Sequence, residues 1–358
     1  MQADKLAFAV CAALIVLARP AAADPFTKVW VFGDSTVDTG WYRYSKSDEM
    51  SYDKYMQPTM MKDFGVGRPT SSPGEMSVEV LADALGLQAI PADKKNASGT
   101  NYATGGAKNF RHNLPMGDGF PGAVPTITQL NNYLTAHHSH ASSTALYVIS
   151  SGDNDVAFAL KHPGNKNYLT KAANALAKEI SVLQQDGAKY IIVVGLPQSY
   201  GSTQQKKNFR ATYNTKLKNK LDSLLGSANF LWADANHVRQ VMESYKNNPP
   251  SPFGITNYTI GKTGCTQMCP DSACSMPDAG TGITTDWAYV CSTTAGAPST
   301  ATNDAASEWA DDNHYATGGQ KVLGTYFYCA AKNQWPTLAW SSNPTLPFDC
   351  TTVASAMK

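Results

Sequence analysis

Four short segments of this chain combine residue types that can do chemistry. Gly33, Asp34 and Ser35 stand together, with Asp38 and Gly40 just beyond. A serine hydroxyl is a weak nucleophile until a base accepts its proton. Asp311, Asp312, Asn313 and His314 supply such a base, an imidazole with a carboxylate three residues upstream. That spacing lets Asp311 and His314 converge on one side of a turn, where the carboxylate fixes the tautomer and stabilises the imidazolium. Between these segments lie Asn101 to Ala107, which holds the pair Gly105 and Gly106, and the run Gly152, Asp153, Asn154, Asp155. Glycine lets backbone approach a ligand closely, and an Asn amide is a neutral donor to a developing oxyanion. Each segment also has an ordinary use. Ser35 could cap a helix, the glycine pair could form a tight turn, Asn and Asp are common turn residues, and a His near two Asp is commonly a surface residue.

The elements around them place these residues without deciding between the uses. Val29, Trp30, Val31 and Phe32 read as a buried first strand running into Gly33. Helical periodicity covers Glu75 to Leu85 and stops at Gly86. Ala145 to Ser150 is a strand, Leu169 to Gln185 a helix closed by Gly187, and Tyr190 to Val194 a strand. A helix over Gln204 to Leu225, a short strand over Asn229 to Trp232 and a helix from Ala235 follow, and a last helix begins beyond His314 and runs to about Ala331. Such alternation predicts an α/β domain whose parallel sheet is covered by helices on both faces. Ser35 and Asn154 then emerge at the carboxyl ends of strands, where function collects in such sheets, and the backbone N–H of Ser35 can itself face an oxyanion.

Taken together the four segments resemble the GDSL (SGNH) family of lipases and esterases, in order and over Val31 to Thr317. The similarity rests on Phe32, Gly33, Asp34, Ser35, Asp38 and Gly40, on Asn101 to Ala107, on Gly152, Asn154 and Asp155, and on Asp311 with His314. The resemblance implies a three-layer α/β/α sandwich with a flavodoxin-like parallel sheet. It implies that Ser35 attacks an ester carbonyl, His314 shuttles the proton and Asp311 orients His314. The oxyanion hole it implies consists of the backbone N–H of Ser35, that of Gly106 in preference to Gly105, and the side-chain amide of Asn154. Two positions depart from the family pattern: Thr36 stands where Leu is usual, and Tyr315 with Ala316 replaces Pro and Thr.

The remainder of the chain bounds the setting. Lys5, the apolar run Leu6 to Ala18 and the small residues Ala21 to Ala23 have the form of a cleaved secretory signal over residues 1–23, too short in its apolar part for a membrane span. Export to the periplasm or medium is therefore expected, with residues 24–358 as a single domain. Cys265, Cys269, Cys274, Cys291, Cys329 and Cys350 read as disulfides, their pairing left open. Residues 249–305, rich in Pro, Gly, Ser and Thr, read as a disulfide-pinned insertion that could overhang the site. Trp41, Tyr42 and Tyr44 could wall an apolar cleft, and His137, His138 and His140 read as a solvated loop.

With 29 basic and 28 acidic side chains, the charge gives no electrostatic reason to expect nucleic acid as a partner. No Gly-x-Ser-x-Gly elbow, helical zinc motif or Walker loop occurs, so no cofactor is expected. The substrate expected is a lipid or small acyl ester. Transfer of the acyl group to an alcohol, release from a carbohydrate ester, and an inactive sugar-binding protein are the competing readings.

Overall fold

A computed structural model describes residues 25–41, 65–111, 123–198, 203–258, 265 and 287–358, apart from 66, 72, 93–97, 166, 293, 295–298, 301–303 and 312. The signal segment, Tyr42, Tyr44, Cys269 and Cys274 lie outside the described residues. In chain order the elements are β1 (Val29–Gly33), α1 (Ser77–Ala84), α2 (Thr126–Ala136), β2 (Leu146–Ser150), α3 (Asp153–Lys161), α4 (Tyr168–Gln185) and β3 (Tyr190–Gly195). Then come α5 (Gln204–Leu225), β4 (Leu231–Asp234), α6 (Ala235–Ser244), β5 (Cys291–Ser292), β6 (Ser299–Thr300), α7 (Thr317–Gln334) and α8 (Cys350–Ala356).

The four strands β1 to β4 lie side by side in sequence order, all parallel. Their sequences are almost continuously apolar because both faces are covered. Val29, Val31, Leu146, Val148, Ile192 and Val194 point into one core with α1, α6, α7 and α8. Trp30, Phe32, Tyr147, Ile149, Ile191 and Val193 point into the other with α2, α3, α4 and α5. The expected three layers are therefore present. On the outer side of β1 the segment around Asn101 runs parallel to it, joined by the bridge Val31↔Asn101 and by bonds from Val31 N to Thr100 O and Tyr102 N to Val31 O, 2.9 and 2.8 Å. Asn101 makes a second isolated bridge, to Pro91.

Register positions the site. Gly33 pairs with Ser150, so β1 and β2 end level and the turns after them open at one edge of the sheet. Three helices were not anticipated, namely α2, α3 and α8. Of these α2 carried a readable signal, since Leu130, Tyr133 and Leu134 are buried at helical spacing after Pro125. A correction concerns His137, which was expected to be solvated with His138 and His140. Its Nδ1 lies 2.8 Å from Tyr133 O, and its ring sits 4.3 Å from that of Tyr133 and 5.0 Å from that of Trp30. His138 and His140 are exposed.

Among the described residues, two disulfides join Cys265 to Cys291, and Cys329 of α7 to Cys350 at the start of α8. No helix among the described residues is long and apolar enough to cross a membrane.

Candidate active site

Ser35 leaves β1 through a turn that only glycine can make. Gly33 has φ +148°, and a Cβ there would fall 1.8 Å from Ser150 O. The Gly33 peptide is held from both sides by Gln129 of α2: its N–H donates to Oε1 at 2.8 Å and its carbonyl accepts from Nε2 at 2.9 Å. Asp34 N donates to Ser150 O at 3.0 Å, extending the pairing of β1 and β2 one residue into the turn. The Asp34 carboxylate accepts from Thr36 N and Oγ1 at 3.0 and 2.7 Å and from Gly152 N at 3.3 Å. Burial pushes Asp34 up to about 6, against the opposing pull of the Thr36 bonds. These bonds fix the turn and leave Ser35 half-buried between them.

His314 sits on a tight return of the chain. Trp309 and Tyr315 bridge antiparallel, and Ala310 N donates to His314 O at 2.8 Å. Inside the return, Asp311 Oδ1 accepts the backbone N–H of both Asn313 and His314, each at 2.8 Å. His314 Nδ1 lies 3.0 and 2.9 Å from the two Asp311 oxygens. An acceptor-only carboxylate at Nδ1 makes that nitrogen the N–H and leaves Nε2 to accept a proton. The insertion completes the arrangement. Ala288 N donates to Asp311 Oδ2 at 3.0 Å, and the Tyr289 ring stands edge-on to the imidazole at 5.7 Å. Residues 288 and 289 thus support the base from beside it, a contribution that nothing in their local sequence announced.

The glycine pair and Asn154 meet from two other segments. Asn101 Nδ2 donates to Val37 O and Thr39 Oγ1 at 2.7 and 3.0 Å, fastening this loop to the Ser35 turn. Asp38 adds a second fastening: one oxygen accepts from Gly40 and Trp41 N–H, the other from Gly105 N at 2.9 Å. Gly105's N–H is therefore engaged by Asp38, while Gly106 follows in the left-handed region at φ +79°. Asn154, half-buried in the first turn of α3, donates from Nδ2 to Ala107 O at 3.1 Å.

Below this layer lies a buried polar network. Asp155 accepts from Asn109 N and Tyr168 Oη, both at 2.9 Å, and burial pushes its carboxyl up to about 7. Asn109 Nδ2 donates to Tyr213 Oη, which donates to Ser151 O. Burial raises Asp153, but the Arg210 guanidinium, bonded through Nε at 2.6 Å and Nη2 at 2.8 Å, outweighs it and holds the carboxyl below its usual range. Gln129 and Tyr213 lie far from the four motif segments in sequence and Asn109 just beyond one of them, and no local pattern marked any of the three.

Ser35 and His314 line one cavity with Thr36, Val194, Leu196 and Phe327, although 279 positions of sequence separate them. The profile of the family described as GDSL-like Lipase/Acylhydrolase matches residues 29–327. Lipase 1 of Photorhabdus luminescens is 31% identical over 125 residues, covering 33% of this chain and 17% of its own. A GDSL esterase/lipase of Arabidopsis thaliana is 25% identical over 279 residues, covering 65% and 71%. Acetylajmalan esterase 2 of Rauvolfia serpentina is 30% identical over 192 residues, covering 48% and 53%.

Proposed function

Because the chain belongs to the GDSL-like lipase/acylhydrolase family, we propose that it hydrolyses carboxylic esters through an acyl-enzyme on Ser35. His314 Nε2 takes the proton of Ser35 Oγ as the hydroxyl oxygen bonds to the ester carbonyl. The same proton then passes to the leaving alkoxide as its bond to the carbonyl carbon breaks. Water follows by the reverse route: it loses a proton to His314, releases the acid, and the proton returns to Ser35. Asp311 holds the imidazole and stabilises its charged form.

The oxyanion would be held by the N–H of Ser35, the N–H of Gly106 and Nδ2 of Asn154. The choice of Gly106 is supported by the engagement of Gly105 N with Asp38. The observation that carries the whole reading is that Ser35 and an Asp311-bound His314 wall the same cavity.

Ser35→Ala and His314→Ala should each lose nearly all hydrolysis of p-nitrophenyl esters. Asn154→Ala should slow acylation roughly 100- to 1,000-fold, the usual cost of one oxyanion donor. A fluorophosphonate probe should label Ser35 in the folded protein; an unlabelled Ser35 would overturn the proposal. Including an acceptor alcohol in the same assays separates hydrolysis from acyl transfer, since transfer would yield a new ester in place of the acid. The two disulfides support a place outside the reducing cytosol, in the periplasm or the medium.

A further inference from the structure

The cavity that Ser35 and His314 share is small, and its size bears on which ester reaches them. It extends from the two reactive side chains toward the sheet, between the carboxyl ends of β2 and β3 and the face of α7. Its walls are Val37, Val194, Leu196 and Pro197, with Leu323 and Phe327 beneath. All six are buried. Besides Ser35 and His314, five polar side chains border it: Thr36, Ser150, Asn313, Tyr315 and Gln320. Ser150 Oγ pairs with Thr36 Oγ1 at 2.7 Å, and Gln320 Oε1 accepts from Ser77 N at 2.9 Å. Among the described residues, the wall toward β3 and α7 is apolar apart from these engaged oxygens.

About 20 Å³ is open to the centre of a water-sized group. By that measure a single water needs roughly 10–15 Å³, so the space takes a methyl group with little slack. A much larger apolar groove of about 870 Å³ runs between α7 and α8, but its lining includes neither Ser35 nor His314.

We infer that this niche is the acyl pocket of the proposed esterase and that it selects acetyl esters. The inference rests on the Ser35 mechanism. In that mechanism the alcohol must depart to solvent while the acyl group stays bonded to Ser35 until water arrives, so a small apolar end suits the retained half. The acetyl methyl would lie against Val37, Val194 and Leu196, with Leu323 and Phe327 as the floor. Attack forms the bond from Ser35 Oγ to the carbonyl carbon and breaks the bond to the alkoxide oxygen; the methyl itself does not react. Each added methylene has to displace packed side chains.

The test compares kcat/KM for p-nitrophenyl acetate, butyrate and octanoate. The wild type should prefer acetate, falling at least about tenfold at butyrate, in line with what a methylene in a fitted pocket is worth. Leu323→Ala should shift the butyrate-to-acetate ratio upward by about tenfold or more, and Val194→Ala provides the same reading if Leu323→Ala does not fold. A flat profile, a preference for octanoate, or no shift of the ratio in a folded variant would overturn the niche. Fluorophosphonate labelling of Ser35 tells the two failures apart. A labelled Ser35 with the wrong chain-length profile removes the acyl pocket and leaves the esterase; an unlabelled Ser35 removes both.

Discussion

Thr36 occupies the position at which the family usually carries Leu, and its hydroxyl is used. It donates to Asp34 Oδ1 and pairs with Ser150 Oγ, each at 2.7 Å, so the residue after Ser35 links β1's turn to the end of β2. A leucine could make neither bond. The same layer holds two carboxyls that burial raises, Asp34 to about 6 and Asp155 to about 7. For an Asp whose folded pKa lies above its unfolded value, the linked stability is full below the unfolded pKa and is lost as pH rises through the folded one. Asp155 should therefore cost the protein stability between about pH 4 and about pH 7. Asp153, held low, works in a separate window, adding stability that disappears only as pH falls below the ordinary carboxylate range. Asp155→Asn removes a titrating group and should flatten the decline of Tm between about pH 4 and about pH 7, as followed by circular dichroism. An unchanged slope would mean that burial does not raise Asp155 above its unfolded value.

Helix α2 and the disulfide-bonded insertion each reach into the site from a distance. Gln129 of α2 satisfies both polar groups of the Gly33 peptide, and that peptide directs the chain into Ser35. Gln129→Leu leaves a buried N–H without its acceptor, a loss of roughly 1–3 kcal/mol. Urea denaturation should show this loss, and kcat should fall as the Ser35 turn loosens. The insertion is held at Cys265–Cys291, whose sulfurs pack among Ala288, Ala310 and Ala316. Ala288 and Tyr289 are three and two residues before the second of these cysteines and meet Asp311 and His314. Replacing both cysteines by serine should therefore lower kcat, by roughly tenfold if the Ala288 bond to Asp311 is lost. Stopped-flow acylation measured beside urea titrations would separate this from simple destabilisation; an unaltered acylation rate in the folded variant would refute the coupling.

At the scale of the whole molecule, two cores lie back to back on one parallel sheet, and the site opens along the edge where the strands end. The second disulfide acts on stability alone. Cys329–Cys350 staples α8 to α7 across a sequence separation of 21, with Val353 of α8 buried in the first core. Loop-closure entropy puts the worth of such a link at about 3 kcal/mol. Cys329→Ser together with Cys350→Ser should lower Tm accordingly, while Ser35 in the folded fraction keeps its reactivity toward the fluorophosphonate. The two double mutants should thus differ in kind, one losing rate and the other losing stability.

Local pattern was enough to read the layered α/β architecture and to pick out the candidate site residues. Apolar runs and helical periodicity act within a few residues of chain, which is why β1, α5 and the strand before Gly152 were legible. The Asp311–His314 pair was legible for the same reason, since three residues of a turn suffice to join carboxylate and imidazole. Only the tertiary structure decided what lies beyond those segments. That Gln129 clamps Gly33, that Asp38 engages Gly105, that Ala288 donates to Asp311, and that a methyl-sized niche ends against Phe327 all depend on which distant segments the sheet register brings level. Such contacts join residues many positions apart through single hydrogen bonds or van der Waals surfaces, and no local pattern records them.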